Sequence, residues 1–138
     1  MKNCVFCKII KKEIPSTKVY EDDYSLVILD IRPASKKGGH TLVIPKKHYE
    51  LISDIPDEVL TKISLLIKKV SKALLKFGEG LNVLQNNKKV AGQAIPHVHF
   101  HLIPRFQNDG IRVEKFEVFE YKNGEAKKTA DKIRSFLK

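Results

Sequence analysis

The chain is short of most things that would place it quickly. Its longest apolar runs, such as Leu26 to Leu29, are only a few residues, where a bilayer-crossing helix needs about 20. The start, Met1-Lys2-Asn3-Cys4, has no apolar core of a secretory signal, so the expectation is a cytoplasmic protein with no membrane partner. No Walker loop and no dinucleotide-type glycine fingerprint is present, which excludes P-loop and Rossmann nucleotide sites. No internal repeat or low-complexity tract interrupts the 138 residues, and that length suits one domain over 1–138. Arginine is scarce too. The four are Arg32, Arg105, Arg112 and Arg134, so the net charge of +10 comes mostly from lysine. Pairs such as Lys36-Lys37, Lys68-Lys69 and Lys127-Lys128 punctuate the whole chain, with neither an RNP-like aromatic motif nor a basic helical stripe. This is a solvated lysine-rich surface with no specific nucleic-acid partner. A hydrophobic content of 42% excludes intrinsic disorder.

Two cysteines stand close together, Cys4 and Cys7, as C-x-x-C. A redox pair of this spacing normally follows a strand of a βαβ unit, and only three residues precede it here. A metal site would need two more ligands from elsewhere. Two inert buried thiols are the third reading.

Hydrophobic periodicity gives the elements. Cys7 to Lys12 reads as a short helix ended by Pro15. Val19–Tyr20 and Tyr24–Asp30 read as strands around the acidic turn Glu21-Asp22-Asp23. Pro33 to Gly39 is a loop that opens into a strand from His40 to Pro45. From Asp57 to Phe77 the period changes, with Leu60, Ile63, Ile67, Val70 and Leu74 forming one apolar face of a long helix. Asp57 and Glu58 suit its positive end, and Gly78 and Gly80 stop it. Leu81–Leu84 is a strand, Gln85–Gln93 a polar loop, His97–Pro104 a strand, and Ala126–Leu137 a closing helix. The expected class is α+β: a mostly antiparallel sheet of about five strands, one long helix and two short ones.

The chemistry concentrates in His97-Val98-His99-Phe100-His101-Leu102-Ile103. On a strand the three histidines share one face while Val98, Phe100 and Leu102 take the other. A lone histidine on a strand is usually structural, but three in strict alternation are not. Burial should hold their pKa values down or drive them apart. One metal ion cannot take all three, because Cα atoms four residues apart on a strand lie roughly 13 Å apart. The histidines must therefore divide their tasks. The remaining two, His40 and His48, sit eight apart around the strand His40 to Pro45; Cys4, Cys7, His48 and one member of the triad would complete a Cys₂His₂ zinc set. A neutral imidazole left over is a nucleophile suited to phosphorus. Asn86, Gln93 and the backbone around Ala91-Gly92 offer donors for developing charge. Glycine at 92 lets a phosphate approach the main chain.

H-V-H-F-H-L-I matches in full the pattern of the histidine-triad (HIT) superfamily, and further segments resemble its Hint-like bacterial and archaeal branch. These are Cys4–Pro15 (CVFCKIIKKEIP), Val27–Pro33 (VILDIRP), Gly38–His48 (GGHTLVIPKKH) and Ala91–Arg105 (AGQAIPHVHFHLIPR). They run in order over about three quarters of the chain, a motif-bearing core from 4 to 105 followed by a tail, 106–138, with the closing helix. The resemblance implies a two-fold homodimer with joined sheets that binds a purine nucleotide, AMP-like, and attacks its α-phosphorus. His99 would be the nucleophile, forming a covalent nucleotidyl-histidine that water cleaves to release a nucleoside monophosphate. His101 would contact the phosphate and help protonate the leaving group, with His40 beside it. Asp30 matches the acid that holds the ribose hydroxyls; Phe6, Ile9 and Ile31 resemble the apolar clamp on the base; Asn86 and Gln93 match the phosphate contacts. In zinc-bearing relatives the first triad histidine joins the metal, which carries over to a structural Zn²⁺ on Cys4, Cys7, His48 and His97. The sequence departs from the eukaryotic members at Ala94, where they carry serine, and in a tail without their tryptophan-bearing end. Competing expectations are a dinucleoside polyphosphate hydrolase, a nucleotide-binding interaction module with little catalysis, and a zinc protein whose imidazoles are structural.

Overall fold

The computed structural model describes residues 3–113 and 115–137; Met1 and Lys2, part of the stretch weighed above for a leader, lie outside the described residues, as do Glu114 and Lys138. A short helix α1 (Val5–Ile10) leads to strands β1 (Lys18–Glu21), β2 (Ser25–Leu29) and β3 (Thr41–Pro45). The long helix α2 (Asp57–Phe77) follows, then β4 (Gly80–Leu84), β5 (Phe100–Arg105) and α3 (Glu125–Phe136). The strands form one sheet in the order β1-β2-β3-β5-β4, and every neighbouring pair is antiparallel. The fold is α+β, as expected. β5 slots between β3 and β4, which α2 joins as a crossover, so the histidine strand lies inside the sheet.

β2 and β3 are apolar on both sides because both sheet faces are covered. Val27, Val43, Val98, Phe100 and Leu102 meet Ile63, Leu66 and Val70 of α2. Leu26, Ile28, Leu42 and Ile44 meet Cys4 and Phe6 on the other face, under α1. The inward side of α2 centres on Ile63, Leu66 and Val70, with Leu60, Ile67 and Leu74 alongside; Leu66 was not in the predicted stripe. α2 ends as expected, the Gly78 N–H bonding Leu74 O at 2.8 Å. The reason for glycine there is room rather than a left-handed backbone: φ is −111°, and a Cβ would meet Pro104 Cβ at 3.0 Å.

Several boundaries differ from expectation. α1 begins two residues early, because Cys4 caps it through a bond from Cys7 N–H to Sγ at 3.4 Å. Single 3₁₀ turns at Ile52–Asp54 and Lys89–Ala91 punctuate segments without a helical period. The main correction concerns the triad: ladder pairing starts at Phe100, not His97. Pro96 has no N–H to give. Val98 N–H turns to Tyr49 O at 2.7 Å, and the His97 carbonyl accepts from the ring of His99. The alternation of faces nevertheless persists through this unpaired stretch. No helix among the described residues is long and apolar enough to cross a membrane.

Candidate active site

Four donor atoms converge where α1 meets the segment before β5. Cys4 Sγ lies 3.3 Å from His97 Nδ1, Cys7 Sγ 3.3 Å from His48 Nδ1 and 3.6 Å from His97 Nδ1. All four lie within 4.8 Å of one another. Metal–sulfur and metal–nitrogen bonds of about 2.3 and 2.0–2.1 Å at a tetrahedral angle put sulfur and nitrogen roughly 3.5 Å apart. The three measured edges match that spacing. His97 is fully buried, and its Nε2 lies 2.8 Å from Pro45 O, so that nitrogen carries the proton and donates it. Nδ1 is left as a lone pair aimed at the sulfurs, the usual outer-shell arrangement of a ligating histidine. Burial, with the Cys4 thiol next to it, pushes the Cys7 thiol up; a dication between the sulfurs reverses that by favouring thiolate. The donor set fits a tetrahedral cation.

His99 and His101 point into a cleft of about 400 Å³ between α1 and the sheet. His99 is 7% exposed. Its Nδ1 lies 2.8 Å from His97 O, and a carbonyl only accepts, so Nδ1 carries the proton. Burial holds its pKa below the ordinary value, against the pull of that carbonyl and of Asp30. The neutral ring therefore presents Nε2 as an unprotonated lone pair. Phe6 stands edge-on to it, with ring centroids 4.9 Å apart, and edge-on to His97 at 5.8 Å.

A second chain of rings fixes His101. Ala34 N–H donates to His40 Nδ1 at 3.1 Å, which puts the proton of neutral His40 on Nε2. That nitrogen lies 2.9 Å from His101 Nδ1, which accepts, leaving His101 with an Nε2–H. Asp30 Oδ2 lies 3.6 Å from His40 Nε2. Burial, then the rings of His99 and His40, hold His101 down to about 4, partly offset by Asp30. The donor atoms of Asp30, His40 and His101 also lie within 4.8 Å of one another. A metal ion does not suit them, because a ligating histidine offers its outer nitrogen to an acceptor, and His40 Nδ1 faces a donor. The bonds from Ala34 to His40 and from His40 to His101 instead fix the tautomer of each ring.

Phe6, Ile9, Asp30, Ile31 and Gly92 line the cleft together with His99 and His101. Gly92 has φ +93°, a conformation that favours glycine. Asn86 and Gln93 do not line it. Asn86 Nδ2 reaches Gly92 O at 3.5 Å, while Gln93 is buried, taking Lys88 N–H on Oε1 and giving Nε2–H to Glu50 O, both at 2.7 Å. They brace the loop that carries Gly92. The sequence reading missed Ile28, Leu42, Ser16 and Arg32 in the wall. For Ile28 and Leu42 the signal was present, since each lies two residues from a candidate, Asp30 and His40, on the same strand face.

Comparison with known proteins agrees with this geometry. The family model "HIT domain" matches residues 11–108. The HIT-like protein MJ0866 of Methanocaldococcus jannaschii is 51% identical over 116 residues, 83% of this chain and 88% of that one. Adenosine 5'-monophosphoramidase HNT1 of Saccharomyces cerevisiae is 52% identical over 102 residues, 74% of this chain and 62% of its own length. A Zn-bound histidine triad family protein from Mycobacterium smegmatis superposes with a TM-score of 0.73 at 33% identity, over 85% of each chain. The proton-free Nε2 of neutral His99 before an open cleft, the alternating triad and the matched segments have one common account: this chain belongs to the histidine-triad (HIT) family.

Proposed function

We propose that the protein is a nucleotide hydrolase or nucleotidyl transferase that attacks the α-phosphorus of a purine nucleotide conjugate, an adenosine phosphoramidate or a similar adenylate, and releases the nucleoside monophosphate. The observation that carries this reading is the tautomer of His99. Its Nδ1–H is held by His97 O at 2.8 Å, which leaves Nε2 free at the cleft. The relative named as an adenosine 5'-monophosphoramidase supports the same chemistry.

In this reading Nε2 of His99 attacks phosphorus, a P–N(His) bond forms and the bond to the leaving amine breaks. The charge of the bound phosphoryl group raises the His101 pKa from about 4. His101 then enters as an imidazolium and gives its Nε2 proton to the departing amine. Water, returning a proton to His101, cleaves the P–N(His) bond and restores the free enzyme. Phe6, Ile9 and Ile31 clamp the base, Asp30 takes the ribose hydroxyls, and the loop held by Asn86 and Gln93 presents the Gly92 backbone to the phosphate. Cys4, Cys7, His48 and His97 would hold a structural Zn²⁺, one per chain. When bound, it cross-links α1 to the segment carrying His99, and with four protein ligands it offers water no position.

The active form is a homodimer joined through β4. Of the two sheet edges, β1 carries Lys18 and Glu21, charges that discourage strand pairing. β4 has no charged residue and leaves Val83 51% exposed.

Intact-mass spectrometry on protein mixed with an adenosine phosphoramidate tests the mechanism. The wild type should show a transient adduct of one nucleotidyl group; His99→Ala should show none and lose several orders of magnitude in turnover. Wild-type turnover by His99→Ala sinks the assignment. A preference for diadenosine polyphosphates over phosphoramidates in the same assay selects the polyphosphate hydrolase instead.

A further inference from the structure

Three residues other than glycine have positive φ among those described: Lys12, Lys88 and Asn108. Two are ordinary. Lys12 stands just past the C-cap of α1, where chains commonly leave a helix through a left-handed residue, and asparagine tolerates that conformation at 108. Lys88 is different. Its φ of 72° and ψ of 157° fall in a region essentially reserved for glycine, so its Cβ is held under strain. The lysine side chain gives no reason for this, being exposed and in no ion pair among the described residues.

The backbone of Lys88 is pinned on both sides. Its N–H donates to Gln93 Oε1 at 2.7 Å, and its carbonyl accepts the N–H of Ala91 at 3.1 Å and of Gln93 at 3.2 Å. Gln93 is 6% exposed and its Nε2 donates to Glu50 O at 2.7 Å, so the pin is anchored outside the loop. The residue before it, Asn87, is anchored nearby, its Oδ1 accepting the Ile52 N–H at 2.9 Å. A relaxed lysine, at negative φ, would turn its N–H away from Gln93 or its carbonyl away from Ala91 and Gln93. Those two residues flank Gly92, which together with Ala94 and Ile95 lines the cleft that holds His99.

We infer that Lys88 is a positioning residue: its glycine-like backbone, clamped by Gln93, holds the wall made by Gly92, Ala94 and Ile95 in the shape that receives the phosphoryl group. This deepens the proposed function and rests on it for the identity of the ligand. Gln93 then acts through Lys88 and not by touching the nucleotide. The clamp is needed because residue 88 is not glycine.

Two measurements test this, one of them independent of any ligand. In urea, Lys88→Gly should have an unfolding constant about fivefold smaller than Lys88→Ala, the relief of strain less the entropic cost of glycine. Lys88→Ala removes the charge but keeps the Cβ, so it should stay close to the wild type. Calorimetric titration with AMP then reads the wall. Gln93→Met keeps the buried volume and deletes the clamp; under conditions where its circular dichroism matches the wild type, it should bind AMP about tenfold more weakly. Adding Lys88→Gly should recover about threefold or more of that loss, because glycine takes the conformation without a clamp, and adding Lys88→Ala should recover none. A glutamine that served stability alone would leave the affinity of the folded protein unchanged. Equal stability of Lys88→Gly and Lys88→Ala overturns the inference. So does unchanged affinity in Gln93→Met, no recovery by Lys88→Gly, or equal recovery by both second substitutions. Failure of the wild type to bind AMP is a different result: it removes the nucleotide reading, while the urea comparison still decides whether Lys88 is strained.

Discussion

Each histidine of the site is defined by what its second nitrogen touches. His97 and His99 are two residues apart and both neutral by burial, yet one has its free lone pair at Nδ1 and the other at Nε2. The difference lies in which backbone carbonyl each ring donates to, Pro45 O or His97 O. His101 offers a measurable consequence. Its pKa is about 4 in the fold against an ordinary 6.5, with His99, His40 and Asp30 facing it. Between those values the unfolded chain binds the proton and the folded chain does not, so stability is complete above pH 6.5 and falls as pH drops towards 4. Urea midpoints at pH 7.5 and 4.5 should therefore separate more for the wild type than for His101→Asn. Equal separations would mean that His101 charges in the fold as readily as in the unfolded chain.

Elements meet where side chains leave no room. α2 was legible over its whole length, Asp57–Phe77, because a 3.6-residue period, an acidic first turn and a following glycine all agree. Its far end touches the loop before β3: a Cβ on Gly39, at φ +84°, would meet Phe77 Cε1 at 2.5 Å and Pro104 Cγ at 3.0 Å. Gly39→Ala should cost about 1–3 kcal/mol for the backbone conformation, plus the displacement of the ring. Adding Phe77→Ala should recover only the second part, which a double-mutant cycle in denaturant would show. Full recovery would place all of the cost in the contact. The strand at His97 was less legible, since alternation reports which face a side chain takes and not whether the backbone is paired.

For the whole molecule the two proposals with the widest reach concern metal and assembly. If Cys4, Cys7, His48 and His97 hold Zn²⁺, its removal frees α1 and the approach to β5 together. Chelation should lower the thermal midpoint by on the order of 10 °C, restored by stoichiometric zinc, with elemental analysis giving one zinc per chain. An unchanged midpoint in protein shown to be metal-free would make the site incidental to stability. If β4 edges join two sheets, sedimentation should give the mass of two chains for the wild type and of one for Val83→Lys; a monomeric wild type removes the dimer. The tail after the sheet is the least integrated part, and Phe116, Val118 and Phe119 are each more than 70% exposed.

What the sequence determined by itself through periodicity and spacing was the α+β class, α2, the two-faced histidine segment and a set of cysteines and histidines from which a metal site could be drawn; which histidine would bind metal and which would attack phosphorus was implied only by the resemblance to the histidine-triad family. Those properties are local, set by the 2.0- and 3.6-residue repeats of the backbone and by the chemistry of each side chain. The tertiary structure alone decided the proton positions, the role of Gln93 as a brace behind the loop and the place of Arg32 in the wall. Some depend on a partner far away in the chain, such as Pro45 for His97 or Glu50 for Gln93, and others on a near neighbour that the fold turns toward the ring, such as the His97 carbonyl for His99. Burial beside a particular carbonyl or amide is created only when the sheet closes.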